Sequence, residues 1–253
     1  MTPRRSTPTG SSRLDRVKRA SAAAARAFAE RVAPDGRVYR SFSALDARGV
    51  PLDLRLCEIL DRRDGFFVEA GANDGLFQSN TALLERSFGW HGLLVEPSPL
   101  ACELARANRR AEVCNCALVS SGYEGATITG DFDGYPMGSV GGARLGRAGD
   151  VTVPARTLQS LLDERGVGRV DFLSLDAEGY ELEILHGIDF ARTTFGHMLI
   201  ELYPENREQT VSHLARAGYE LIGDFSGYNP RDTPQWDGRH NDYLFRRAGE
   251  GAG

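Results

Sequence analysis

The sequence predicts an α/β fold: a seven-stranded, mostly parallel, doubly wound sheet preceded by a basic helical arm. Two segments carry most of that reading. The run Phe66-Phe67-Val68-Glu69-Ala70-Gly71-Ala72-Asn73-Asp74-Gly75 is a buried-strand pattern that breaks into a glycine turn. Leu93-Leu94-Val95-Glu96-Pro97 is a second apolar strand, and its closing carboxylate lies 25 residues beyond Gly71. The third observation is the alternation of strand-like and helix-like segments from Leu52 onward, which implies parallel pairing through right-handed crossovers.

The elements follow in order. Residues 1–11, rich in Thr, Pro, Ser and Arg, read as disordered. Residues 12–32 read as a helix, because Leu14, Val17, Ala24, Phe28 and Val32 recur at three- and four-residue spacing. A helix over 52–62 leads into a strand at 66–71, and a helix over 79–88 returns to a strand at 92–96. A helix over 99–109 precedes a third strand at 112–119. The glycine-rich stretch 120–150 departs from the alternation and reads as a mobile flap, with a short hairpin from Ala126–Thr129 and Val151–Pro154. Alternation resumes with a helix over 157–165, a strand at 169–175, a helix over 180–187 and a strand at 197–202. A helix over 207–217 and strands at Tyr219–Phe225 and Tyr243–Arg246 complete the pattern. The expected division is an arm over 1–40, a domain over 41–247 and a frayed tail over 248–253.

A chain of 253 residues with 41% hydrophobic content supports one α/β domain with a sizeable core. The net charge of −5 argues against a general nucleic-acid binder. The charge is uneven: residues 1–31 hold eight Lys/Arg against Asp15 and Glu30, a balance of +6 that leaves −11 for the remainder. The basic arm reads as a solvated helix face, with a dimer arm, a lid or attraction to an anionic partner as the alternatives. No apolar run approaches the ~18–20 residues that span a membrane, and no signal-peptide pattern follows the basic start, so a cytoplasmic location is expected. Cys57, Cys102, Cys114 and Cys116 show no metal-ligand spacing and read as reduced, packed thiols.

The first glycine loop indicates a nucleoside site at the carboxyl ends of the first two strands. A dinucleotide site needs a third glycine and a helix N-terminus open to pyrophosphate; here that glycine is missing, and Glu69 and Asp74 would repel phosphates. Carboxylates there suit a ligand bearing an ammonium and a sulfonium, which describes S-adenosylmethionine. The alternative is a βα turn that uses glycine for positive φ and binds nothing.

A second segment, Val170-Asp171-Phe172-Leu173-Ser174-Leu175-Asp176-Ala177-Glu178-Gly179-Tyr180-Glu181-Leu182-Glu183-Ile184-Leu185-His186-Gly187, is a strand, an acidic turn and an amphipathic helix. With the glycine loop, its D-x-E-G-x-E-L-x-x-L-x-G pattern resembles the FkbM family of S-adenosylmethionine-dependent methyltransferases. Ser79-Asn80-Thr81, Gly92-Leu93-Leu94-Val95-Glu96-Pro97, Val153-Pro154-Ala155-Arg156-Thr157-Leu158 and Asn241-Asp242-Tyr243-Leu244-Phe245 agree, so the resemblance covers residues 41–247. It implies a Rossmann-like class I methyltransferase fold with an antiparallel last strand. It also implies methyl transfer, usually to a hydroxyl of a sugar, glycan or natural product.

Roles follow from strand ends. Glu69 is expected to face the methionine ammonium, Gly71, Ala72, Asn73, Asp74 and Gly75 to form the loop under the ligand, and Glu96 to take the ribose hydroxyls. Pro97 and Ser98 shape the adenosine wall, Ala117 lies near the adenine, and Asn80 either caps its helix or touches the cofactor. The candidates for chemistry are Asp176, Glu178 and Glu201, with His240 as an outside choice of base. The carboxylates either act as general base or hold a divalent ion such as Mg²⁺, with Asp176 and Glu201 as its ligands. For Glu178 the competing role is a first-turn acid on the helix after it. His186 and His197 read as structural. Tyr123, Phe132, Tyr135, Tyr228 and Trp236 could stack on a sugar ring or simply anchor loops. The expected partner is a small-molecule or glycan acceptor, with a homodimer as one use of the arm.

Overall fold

A computed structural model describes residues 30–32, 38–132, 151–234, 236 and 238–249. Two short strands come first, β1 (Glu30–Val32) and β2 (Val38–Arg40), paired antiparallel with Arg31 opposite Tyr39. The expected helix over 12–32 therefore fails at its described end. Val32 and Val38 flank Ala33-Pro34-Asp35-Gly36-Arg37, a turn-forming sequence that the helical count of apolar positions overlooked. The rest of that expected helix lies outside the described residues.

The main sheet has seven strands: β3 (Phe66–Ala70), β4 (His91–Glu96), β5 (Glu112–Asn115), β9 (Arg169–Leu175), β10 (Thr194–Leu202), β11 (Tyr219–Asp224) and β12 (Asn241–Arg247). Their order is β11-β12-β10-β9-β3-β4-β5. The pairs β10/β9, β9/β3, β3/β4 and β4/β5 are parallel, whereas β12 runs antiparallel to both β10 and β11. The sheet is thus mixed: four of its six pairings are parallel, and the last strand, β12, runs antiparallel, slotted between two strands that precede it in the chain.

Side chains of the parallel strands alternate between two layers, as period-two geometry demands. Val68, Leu93, Val95, Leu173 and Leu175 face one core with residues of α4 (Leu158–Asp163), α5 (Glu181–Leu185) and α6 (Pro204–Arg216). Phe67, Leu94, Phe172 and Leu199 face the other, with α1 (Leu52–Leu60), α2 (Ala82–Phe88) and α3 (Pro99–Asn108). Fully burying each such side chain contributes about 1.5–3 kcal/mol.

The expected third strand at 112–119 is two strands. Asn115 Nδ2 donates to the carbonyls of Glu96 and Pro97 at 3.0 and 2.8 Å, which ends the pairing of β5 with β4. The chain then continues as β6 (Ala117–Leu118) in a separate three-stranded sheet with β7 (Thr127–Gly130) and β8 (Val151–Arg156). β7 and β8 pair antiparallel with Thr127 opposite Pro154, close to the expected hairpin; residues 133–150 of the expected flap lie outside the described residues. Among the described residues, no helix is long and apolar enough to cross a membrane.

Candidate active site

The strand order reverses at β3: the chain steps to β4 and β5 on one side and later to β9 and β10 on the other. Loops leaving adjacent strands in opposite directions open a crevice at the carboxyl ends of a sheet. A cavity of about 410 Å³ occupies that place, within the usual range for small-molecule sites. Its β3–β9 end is polar, lined by Glu69, Asn80, Ser174, Asp176 and Glu178. Its β5–β6 end is apolar, lined by Cys116, Ala117 and Leu118, with Phe132 also on the wall.

The loop after β3 is held by Gly71 N–H and Ala72 N–H, which both donate to the Val95 carbonyl at 3.0 and 3.2 Å. Asn73 and Gln78 on the cavity wall have left-handed backbones, φ 47° and 53°. Such conformations cost free energy that surrounding contacts must offset, and they gather at functional sites. Glu96 closes β4 and accepts from Asn73 N–H at 2.8 Å and Ser98 N–H at 2.7 Å. Burial, assisted by the charges of Asp176 and Asp74, pushes its carboxyl up to about 7 against those two donors. Ser98 also caps α3, its side chain accepting from Ala101 N–H at 3.2 Å, with Pro99 at the helix start.

Glu69 lines the cavity but is heavily engaged. Its Oε1 accepts from Asn80 N–H at 2.9 Å, and its Oε2 from the hydroxyls of Ser79 and Thr81 at 2.9 and 2.6 Å and from Arg109 at 3.3 Å. It thus meets a cationic partner within the protein while remaining on the cavity wall where it was expected. Asp74 belongs to the same loop but is placed differently. It is buried and outside the cavity lining, its Oδ1 accepting from Leu76 N–H and Phe77 N–H at 2.9 and 2.7 Å. Ala72 and Gly75 support the loop without lining the cavity. Asn80 does not cap the following helix, whose N-cap is Thr81; Ser79 Oγ meets the first-turn Ala82 N–H at 3.1 Å. The Asn80 side chain instead donates to Ser174 at 3.0 Å and accepts from Ser43 at 2.7 Å, at the cavity edge. Pro97, Ser98 and Ala117 all line the cavity.

At the polar end, carboxylate oxygens of Asp176, Glu178 and Glu201 lie within 4.8 Å of one another, with Glu201 outside the cavity lining. Asp176 follows β9, its N–H bonded to the Ala70 carbonyl at 3.1 Å. Glu178 stands in a left-handed conformation, φ 57°, ahead of α5 rather than in its first turn, and accepts from the Tyr203 hydroxyl at 3.2 Å. Glu201 is buried on β10 opposite Asp242 on β12, and His240 Nε2 lies 3.3 Å from its Oε1. Burial and then the charge of Asp176 raise the Glu201 carboxyl well above its ordinary value. Burial likewise pushes Glu181 and Asp242 up to about 7. Neighbouring carboxylates disfavour one another's ionisation, so Glu201 holds its proton to higher pH than an isolated glutamate.

Sequence reasoning missed several participants. Glu181 is fully buried and folds back to accept from Ala177 N–H and Gly179 N–H at 2.9 and 3.0 Å, clasping the turn that carries Glu178. The acid-rich spacing of that segment was the available signal. Phe77, Gln78 and Tyr180 also line the cavity, and Tyr203 packs its ring 5.6 Å from that of His240. Arg109, at the end of α3, is buried beneath the loop, although Arg109-Arg110 reads in the sequence as an ordinary basic helix end. Among the expected loop aromatics, Phe132 lines the cavity, Trp236 donates to the His240 carbonyl at 2.7 Å, and Tyr135 lies outside the described residues.

Solved structures resemble the chain at low identity. A TehB-like S-adenosylmethionine-dependent methyltransferase from Corynebacterium glutamicum is 13% identical, with TM-score 0.42, covering 79% of this chain and 91% of that one. The fibrillarin pre-rRNA processing protein of Methanococcus jannaschii is 12% identical, with TM-score 0.44, covering 88% and 84%. Precorrin-6y C5,15-methyltransferase from Geobacter metallireducens is 13% identical, with TM-score 0.41, covering 78% and 88%. Among curated proteins, none matches the chain in sequence. Residues 69–221 match the methyltransferase FkbM domain, a span that starts at Glu69 on the cavity wall and takes in Glu96, Asp176, Glu178 and Glu201. The chain belongs to the FkbM family of S-adenosylmethionine-dependent methyltransferases.

Proposed function

We propose that this protein transfers a methyl group from S-adenosylmethionine to a hydroxyl oxygen of a sugar, glycan or other small natural product. One observation carries the reading: a single cavity runs from an apolar wall past Glu96 to the Asp176–Glu178–Glu201 cluster.

The lining fits the cofactor. Glu96 has both oxygens fixed by backbone N–H donors and keeps lone pairs for vicinal ribose hydroxyls. Ala117, Leu118 and Phe132 give an apolar slot for a base, and Glu69 with Asn80 gives a polar end for an amino-acid group. When bound, S-adenosylmethionine supplies a methyl carbon made electrophilic by positive sulfur. The chain's own task is to hold an acceptor hydroxyl in line, which is worth on the order of 7–11 kcal/mol of the barrier. The second task is to take the hydroxyl proton. Asp176 and Glu178 line the cavity and are placed for it, with Glu201 and His240 behind them to share the proton.

The same three carboxylates support a second reading, in which a divalent ion bound between them lowers the acceptor's pKa. An N- or protein methyltransferase would use the same cofactor end.

The test is a thermal-shift comparison. S-adenosylhomocysteine is expected to raise the melting temperature and NAD to leave it unchanged; a shift with NAD alone overturns the reading. A labelled-methyl screen against sugars and a metabolite extract then identifies the acceptor.

A further inference from the structure

The guanidinium of Arg109 has no exposed surface, yet it touches five residues in and beside the loop that borders the cavity. Nη1 donates to the Gly75 carbonyl at 2.8 Å, Ser79 Oγ at 3.1 Å and Glu69 Oε2 at 3.3 Å. Nη2 donates to Thr81 Oγ1 at 2.9 Å, and Nε to Glu85 Oε2 at 3.2 Å. Planar guanidinium donors point in fixed directions, so one side chain holds these groups in a single arrangement.

What it holds is one end of the cavity. Glu69, Phe77, Gln78 and Asn80 line it, and Gln78 does so in a left-handed conformation that its neighbours must enforce. Ser79 and Thr81, both on Arg109, flank Asn80 and bind Glu69 themselves. The apolar end at Cys116, Ala117 and Leu118 and the Glu96 carboxylate make no contact with the guanidinium.

We propose that Arg109 is the positioning residue for the amino-acid end of the cofactor: it fixes Glu69 and the 75–81 turn so that this end of the cavity recognises the ligand's amino and carboxylate groups. The nucleoside end is set by Glu96, whose oxygens are held by Asn73 N–H and Ser98 N–H rather than by Arg109. The proposal rests on the cofactor reading given above and goes beyond it by dividing the cavity into two separately built halves.

Two ligands separate the halves. S-adenosylhomocysteine carries both the nucleoside and the amino acid, whereas methylthioadenosine keeps only the nucleoside. Affinities for both are measured calorimetrically with wild type, Arg109→Lys and Ser79→Ala, the last removing one link without stranding a buried charge. Arg109→Lys is expected to weaken S-adenosylhomocysteine about tenfold or more and methylthioadenosine by less than about twofold, with Ser79→Ala following in the same direction. Equal losses for both ligands, or no loss for either, in Ser79→Ala or in Arg109→Lys would overturn the proposal. Failure of the wild type to bind either ligand would instead remove the cofactor reading beneath it.

Discussion

The α-carbon of Gly71 lies against the backbone of Asp176 so closely that a Cβ on it would sit 1.8 Å from the Asp176 carbonyl oxygen. The two residues directly follow β3 and β9, the neighbours between which the sheet changes direction. The glycine that opens the loop after β3 and the first acid of the carboxylate cluster are therefore built as one joint.

Gly71→Ala is expected to break that joint. Its φ of +83° already penalises any side chain, by about 1–2 kcal/mol, and the steric overlap adds to this. The variant should lose stability in urea and lose the thermal shift with S-adenosylhomocysteine. A variant that keeps that shift would show that the loop tolerates movement at the switch point.

Asp176→Asn should abolish turnover, by about 10²–10⁴-fold if a proton acceptor is lost, while cofactor binding is largely kept. Full activity would remove Asp176 from the mechanism. Chelation separates the two readings of the acidic cluster: an unchanged rate in excess chelator leaves proton transfer, and loss restored by Mg²⁺ leaves the ion.

Stability should fall as pH rises. Glu96, Glu181 and Asp242 titrate at about 7 in the folded chain and near 4.5, 4.5 and 3.8 when unperturbed. Between those limits the folded state holds protons that the unfolded state has released, so each unit of pH gained there costs stability. The ligand-free melting temperature should drop between pH 5 and pH 8, the decline ending above about 7. Glu181→Gln keeps an acceptor oxygen for Ala177 and Gly179 and should flatten that decline. A melting temperature that rises across this window would show that these carboxyls are ionised in the fold.

Much of the sheet is legible in the sequence because buried parallel strands read as apolar runs. Arg169–Leu175 was expected at 169–175 and Phe66–Ala70 within one residue. Glu96 and Asp176 were legible for the same reason, since each follows such a run directly. The rest depends on partners distant in sequence. Asp74 and Glu69 look alike as acids of a glycine loop, yet one turns into its own backbone and the other meets an arginine 40 residues away. No local pattern encodes that distinction. Tyr203 is similarly silent, because its meaning lies in Glu178, 25 residues earlier. The arm was misread at its end because apolar spacing outweighed the turn residues that follow Val32.

The position of β12 between β10 and β11 has a consequence for biosynthesis. A nascent chain that has emerged only as far as Phe225 has β10 and β11 but nothing to join them, so both present open hydrogen-bonding edges. The later strand β12 closes the gap and brings Asp242 opposite Glu201 in the same event. The acidic pairing of Glu201 with Asp242 is thus completed only after β12 has been made and has joined the sheet.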